Sequence, residues 1–424
     1  MLRLRDLQHQ GQVMSNPGVV EHSTLSVSGR ERWRNCPASV TLSKGMPDNS
    51  SPAAAEGTCA HTVGEFYVRQ HFDLPGAAPR GAEAPPQSVP EGLDLKGKTV
   101  EEWNDDLRRH GKAYRDFIIS LIPPGVEAFV SLEQRVAAKA IDGRLFGTAD
   151  CLIWCPGARV LIVVDYKYGF MVVDVGTAEK PNAQLAAYAV AALDSCTLQA
   201  NGVMLAVFQP RRNIGEPGHK VYLSAEHVTA EQQRMREEVV RVDMAANFAP
   251  IGNDPTNPYI VAGDHCRYCK AKPACPRMQD ALQIAFDVNA GRRSVLDMPE
   301  DDLIALYSAR SGVKSLWEDV EQRIELLAQR GHDALTIKTS PGRRMWRNAK
   351  AAALTLLALD RTDLLQPVAL SEAIAHIPEA LHDDLIGKSR DSQSIVVKTP
   401  AAPGAVADTF AKYAKGVDTT QDKA

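Results

Sequence analysis

No apolar run in the 424 residues approaches the roughly 18 needed to cross a bilayer, so a membrane-spanning chain is not expected. The opening Met1-Leu2-Arg3-Leu4-Arg5-Asp6 lacks the apolar stretch of a secretion signal, and the expected location is the cytoplasm. One-sided charge is missing too. Lys plus Arg number 48 against 52 Asp plus Glu, a net charge of −4, so no overall field draws the chain to nucleic acid or membrane. Any polyanion site must therefore be a local basic patch. Internal repeats are absent, and with them solenoid and coiled-coil architectures. What is present is a globular balance, 44% hydrophobic and 24% charged, which is enough apolar material for a substantial core.

Cysteine is scarce and unevenly placed. Eight residues in a reducing compartment argue for buried thiols and metal ligands rather than a disulfide framework. Cys151, Cys155 and Cys196 lie in apolar surroundings, where a free thiol behaves as a small hydrophobe. Cys36 and Cys59 stand alone near the N-terminus. Cys266, Cys269 and Cys275 crowd together as C-x2-C-x5-C.

The pattern along the chain divides it into four parts. Residues 1–22 are polar and aperiodic, an expected loose arm. Residues 23–287 hold alternating helix and strand signals. Residues 73–98 within them are rich in Pro, Gly and Ala and read as an exposed insertion. A helix is predicted over Val100–Leu121, then strands over Ala128–Val136, Arg144–Trp154 and Val160–Tyr166. A helix over Pro181–Leu193 follows, with Pro at its first turn. A strand at Gly202–Gln209 and a helix at Ala230–Phe248 complete this part. Residues 288–400 read as mainly helical, with a long helix from Asp301 to Arg330, and 401–424 as a disordered tail. The expected fold class is α/β, a mixed central sheet flanked by helices.

Asp150 to Lys167 carries the most informative chemistry. Pro156-Gly157-Ala158-Arg159 is a turn signal between two apolar strands. A hairpin closed there sets Asp150 opposite Asp165, and opposed residues of antiparallel strands project to the same face. Lys167, two residues on, shares that face. Two carboxylates and an ammonium thus converge at the end of an apolar ribbon. Like charges so close are costly unless a cation lies between them. Mg²⁺ or Mn²⁺ suits such hard oxygen ligands and can activate water for attack on a phosphodiester, with Lys167 orienting the nucleophile or stabilising developing charge. Taken alone, Asp-x-Lys is as readily an ordinary surface pair.

The motifs in order narrow the choice. Gly147-Thr148-Ala149-Asp150, Asp165-Tyr166-Lys167-Tyr168-Gly169 and Gln184-Leu185-Ala186-Ala187-Tyr188 resemble the successive motifs of the RecB-type branch of the PD-(D/E)xK nucleases. Gly57-Thr58-Cys59-Ala60-His61 resembles that branch's upstream histidine motif. The resemblance implies a restriction-endonuclease-like core, His61, Asp150 and Asp165 as metal ligands, and Asp150, Asp165, Lys167, Gln184 and Tyr188 as catalytic residues. Gln184 and Tyr188 stand at i, i+4 and share a helix face. Glu133 lies on the preceding strand, where the resembled family often has a glutamate.

Three cysteines among His265, Arg267, Lys270 and Lys272 are too polar in setting to be idle core residues. Thiolate crowding calls for a soft metal and a fourth ligand, for Zn²⁺ or a [4Fe–4S] cluster. One cysteine before the nuclease core and C-x2-C-x5-C after it resembles the iron–sulfur staple of AddB-like helicase-nucleases and CRISPR adaptation nucleases. That resemblance implies Cys36, Cys266, Cys269 and Cys275 as ligands. Zinc, with Cys36 or His265 as fourth ligand, is the alternative.

Further on, Gly342-Arg343-Arg344-Met345-Trp346-Arg347 is a basic cluster with an aromatic, and Arg343, Arg344 and Arg347 are candidate DNA contacts. The chain from about 20 to 400 resembles a phage- and prophage-associated RecB-like family without firm functional assignment. The expectation is a Mg²⁺- or Mn²⁺-dependent deoxyribonuclease in the bacterial host cell, acting on DNA beside phage replication or recombination proteins. A catalytically silent DNA-binding or replisome-scaffold protein on the same fold is the alternative.

Overall fold

A computed structural model describes residues 23–47, 51–212, 218–248, 257–340, 344–346, 349–359, 379–381, 386–388 and 392–397. The chain divides into two compact units, Met1–Asp319 and Val320–Ala424. The division falls inside a long helix rather than near residue 287, where the change in sequence texture suggested it.

The first unit is α/β. Its helices are α1 (Arg30–Asn35), α2 (Ser39–Leu42), α3 (Pro52–His71), α4 (Val100–Ser120), α5 (Ala183–Ser195), α6 (Ala225–Asn247), α7 (Pro276–Asn289) and most of α8 (Glu300–Gln329). Five strands form one sheet in sequence order: β1 (Phe129–Ala137), β2 (Phe146–Cys155), β3 (Val160–Tyr166), β4 (Gly202–Phe208) and β5 (Gly218–Ser224). All neighbours are antiparallel except β3 and β4, which run parallel, with α5 in the connection between them.

Local chemistry sets the helix starts. Thr99 and Glu102 form a reciprocal capping box at α4, while Ser51 caps α3 with Pro52 in its first turn. Asn182, not Pro181, governs the start of α5: its side chain accepts from the backbone N–H groups of Gln184 and Leu185. Helix α6 begins at Ala225, five residues earlier than the periodicity suggests, because Ser224 caps it directly from β5. Strand β5 itself was missed, since only Leu223 along it is fully buried.

Alternation along the strands builds two apolar layers. Leu152, Leu161, Val163, Val203 and Leu205 face α5 and α6, together with the fully buried Trp33 of α1. Cys151, Ile153, Ile162, Val164 and Phe208 face α3 and α4. Cys151 and Cys155 are core residues here, as their apolar neighbours imply. Residues 73–98 carry neither helix nor strand. They are nonetheless pinned to α3 and α4, with Gln70 donating to the Ala82 carbonyl and Arg108 to that of Ala84.

The second unit holds the end of α8, α9 (Ala349–Ala358) and two small antiparallel pairs. Strand β6 (Leu335–Ser340) pairs with β9 (Ser392–Val397), and β7 (Arg344–Trp346) with β8 (Ile386–Lys388). Sequence reading expected mainly helix here; these long-range pairs leave no local signature. The arm 1–22 and tail 401–424 lie outside the described residues.

Helices α3 and α4 cross closely at Gly111. A Cβ there would sit 2.9 Å from Val63 Cγ1 and 3.1 Å from the Val63 carbonyl oxygen. Elsewhere in a helix, Gly→Ala stabilises by about 1 kcal/mol. Gly111→Ala should instead destabilise by about 1–3 kcal/mol through overpacking, seen as a lowered Tm in thermal unfolding. A raised Tm would mean the crossing has slack.

Candidate active site

The β2–β3 ladder runs from Cys155 opposite Val160 to Cys151 opposite Val164. Its continuation sets Asp150 beside Asp165, the register that the turn at 156–159 implies. Both carboxylates project to the α5 side, at the end of the sheet where the two helical layers meet.

Each neighbour arrives from a different element. From α5, Gln184 donates through Nε2 to Asp165 Oδ1 at 2.9 Å and accepts from Lys167 Nζ at 3.3 Å. Lys167 also pairs with Asp165 Oδ2 at 3.1 Å. The amide of Gln184 thereby spans carboxylate and ammonium, which fixes its orientation. Lys167 begins just beyond β3, where its backbone N–H donates to the Phe208 carbonyl at 2.8 Å.

His61 comes over the sheet end from α3, on the opposite layer. Its Nε2–H donates to the Tyr166 carbonyl at 2.8 Å, and its ring stacks on Tyr166 at 5.2 Å. That bond places a proton on Nε2 and turns Nδ1 toward Asp150 Oδ1 at 3.7 Å and Glu133 Oε1 at 3.9 Å. The Tyr166 backbone N–H donates to Asp150 Oδ2 at 2.8 Å. One peptide unit on either side of Tyr166 therefore orients both His61 and Asp150.

Glu133 has φ of 47°, an uncommon conformation for a non-glycine residue within a strand. Pairing of β1 with β2 holds at Leu132 and Gln134 but skips Glu133, which would face Asp150. The skip turns a carboxylate toward His61. Residues held in such a conformation cluster at active sites, ligand clamps and switch regions. The ligand atoms of His61, Glu133 and Asp150 all lie within 4.8 Å of one another, a spacing able to hold a cation. Sequence reading gave Glu133 less weight than Asp165; a polar strand residue carries no local sign of this conformation. Asp165 stands beside that trio, engaged by Lys167 and Gln184, with lone pairs to spare for a metal.

Tyr188, one turn along α5 from Gln184, is buried against Gly147. A Cβ at Gly147 would meet Tyr188 Cε1 and Val27 Cβ at 3.2 Å, which explains a glycine in the Gly-Thr-Ala-Asp motif. Gly57, by contrast, faces open space.

Electrostatics follow from the crowding. Burial and the neighbouring Asp165 carboxylate push Asp150 up to about 7, against the pull of His61 and Lys167. Burial would lower His61, but Glu133 and Asp150 outweigh it, and the imidazole lies above its ordinary value. Burial likewise opposes the Lys167 charge, yet Asp165 and Asp150 raise it, so the ammonium persists at neutral pH.

A second cluster lies at the cysteines. Cys36 ends α1 and its Sγ accepts from the Val261 N–H at 3.5 Å; Cys266 Sγ accepts from the Gly263 N–H at 3.4 Å. Cys36, Cys266, Cys269 and Cys275 line one small cavity, walled by Leu42, Val261 and Met278. Burial pushes Cys36 up to about 12 and Cys266 to about 11, in both cases with the other cluster thiols adding to the shift. His265 donates through Nε2 to the Val261 carbonyl at 2.8 Å. Helix α8 braces this segment: Lys272 Nζ donates to Ser315 Oγ at 2.6 Å and pairs with Asp319, and Arg267 pairs with Glu318.

Residues 22–403 match the model of a family described as a protein of unknown function, DUF2800. The chain belongs to the DUF2800 family. The match spans both units of this DUF2800 protein and contains both clusters. Of the expected DNA contacts, Arg344 lies in β7, while Arg343 and Arg347 fall outside the described residues. Among the described residues no helix is long and apolar enough to cross a membrane.

Protons would compete with a divalent cation held between these carboxylates. Asp150 in the metal-free fold holds its proton up to about 7, whereas in the unfolded chain it ionises near 4. The folded state then binds more protons over that window, and stability falls as pH rises through it. Mn²⁺ affinity should rise across the same interval, with proton release larger at about pH 5.5 than at about pH 7.5 in calorimetric titration. Asp150→Asn should weaken binding and flatten this dependence; a wild-type affinity indifferent to pH would contradict the raised carboxyl.

Proposed function

We propose that this DUF2800 protein is a Mg²⁺- or Mn²⁺-dependent deoxyribonuclease on a restriction-endonuclease-like core of the RecB/AddB branch, stapled by a [4Fe–4S] cluster. The observation that carries the reading is the convergence of His61, Glu133, Asp150, Asp165, Lys167 and Gln184, from five separate elements, on one end of the sheet. An inert scaffold gains nothing from a buried Asp150 whose ionisation the adjacent Asp165 carboxylate opposes.

Glu133, Asp150 and Asp165 offer hard carboxylate oxygens fitting Mg²⁺ or Mn²⁺, with His61 Nδ1 as a borderline nitrogen donor beside them. When bound, such an ion supplies Lewis acidity and neutralises charge on a phosphodiester. Lys167 keeps its ammonium toward the scissile group and stabilises charge as it develops. Gln184 holds Lys167 and Asp165 in fixed relation. Phage DNA replication, recombination or end processing is the setting that the resembled families suggest.

The cysteine reading rests on the donor set. Cys36, Cys266, Cys269 and Cys275 line one cavity and supply the four thiolates that a [4Fe–4S] cluster takes. Cys36 then closes a loop of about 230 residues, the kind of long closure that constrains an unfolded chain most.

Cleavage of labelled DNA should require Mg²⁺ or Mn²⁺. Asp165→Asn should abolish it with the fold intact, and Lys167→Ala should lower turnover by about 10²-fold or more while changing Mn²⁺ affinity little. Metal-loaded wild-type protein that cuts no form of DNA would hand the case to the scaffold alternative.

Anaerobically purified protein should be brown, with absorption near about 400 nm from thiolate-ligated iron. Cys36→Ser should bleach it and lower Tm as strongly as Cys269→Ser. Colourless protein with stoichiometric zinc would replace iron but keep the staple.

A further inference from the structure

Directly after Lys167 the chain presents apolar side chains to solvent: Phe170, Met171 and Val172 are 56%, 49% and 62% exposed. Such a run beside a polar site would ordinarily be a loose loop. Here it is clamped. The buried Gln209 donates through Nε2 to the carbonyls of Gly169 (2.7 Å) and Met171 (2.6 Å), and its Oε1 accepts from the Val173 N–H at 3.2 Å. Opposite stands Tyr268, 74% exposed, whose hydroxyl reaches Met171 Sδ at 3.6 Å. Tyr268 sits between Cys266 and Cys269, so the cysteine cluster sets its position.

Cations flank both rings. Lys96 Nζ lies 5.2 Å and Arg211 Cζ 4.9 Å from the Phe170 centroid, and Arg267 Cζ lies 6.0 Å from that of Tyr268. Arg211 is itself held by Glu56 and stacked 3.8 Å over Tyr168. Exposed aromatic side chains with positive charge over the rings, that of Lys96 above all because Arg211 and Arg267 are already paired with Glu56 and Glu318, fit a strand with unpaired bases: stacking for the base and a cation for its phosphates. A protein partner would cover the apolar patch but has no need of a cation over each ring.

We infer that Tyr268 and the Phe170–Val172 lip form a stacking site for an unpaired nucleobase next to the candidate active site, making Tyr268 a substrate-positioning residue carried by the cysteine segment. This rests on the nuclease reading for its function, though not for its chemistry. The substrate it selects is a single strand or a frayed end rather than an intact duplex.

The test uses full-length protein with Ca²⁺ in place of Mg²⁺, and oligonucleotides carrying 2-aminopurine. Wild-type protein should bind single strands more tightly than blunt duplex, with a change in 2-aminopurine fluorescence on binding. Tyr268→Ala should weaken single-strand binding by about 5- to 150-fold, the range for one stacked base, and remove the fluorescence change. Tyr268→Trp should restore both, and Phe170→Ala should act as Tyr268→Ala does. Absorption near about 400 nm, retained in each variant, shows that the cysteine segment is intact. Unchanged single-strand affinity in Tyr268→Ala, or equal losses for single strand and duplex, overturns the stacking site. Wild-type protein that binds with these signatures but never cuts in Mn²⁺ overturns the nuclease reading alone.

Discussion

Two carboxylates brought side by side at the end of an apolar ribbon are the constraint around which the first unit is organised. Asp150 and Asp165 repel each other, and burial sharpens the repulsion. Most of the neighbours answer that cost, and one adds to it. Lys167 and Gln184 engage the buried Asp165; the Tyr166 N–H and His61 engage Asp150; Glu133 adds a third acid through an uncommon backbone conformation. The helical layers then do the positioning. One face of the sheet delivers Gln184 and the other delivers His61, so the site exists only where both layers end together.

How much of this was legible depends on the range of the interaction. The β2–β3 hairpin could be read because its turn residues and flanking apolar runs are contiguous, and register follows from the turn. Helix α4 showed itself through the spacing of its apolar residues and α5 through a proline at its first turn. Strand β5 did not, because half of it faces water. Strands β6 to β9 did not either, since pairing partners some fifty residues apart leave no periodic trace.

Within the site the same rule holds. His61, Asp150, Asp165, Lys167 and Gln184 announce themselves as residue types in an ordered set of motifs. The role of the Tyr166 backbone does not, because main-chain groups are common to every residue. Glu133 lies between these cases: its identity is visible, its φ is not. Tyr268 was hidden in a segment whose cysteines drew attention, and only its exposure beside Met171 reveals a separate use.

The burial of Cys36 against Val261, Cys266 and Met278 also has a consequence for synthesis. A ribosome adding about 5–20 residues each second delivers Cys36 roughly 10–50 s before the residues that enclose it. Throughout that interval the strands of the sheet are being made and can pair, while the pocket around Cys36 is incomplete. Its thiol thus stays open to oxidation until the chain has passed Met278.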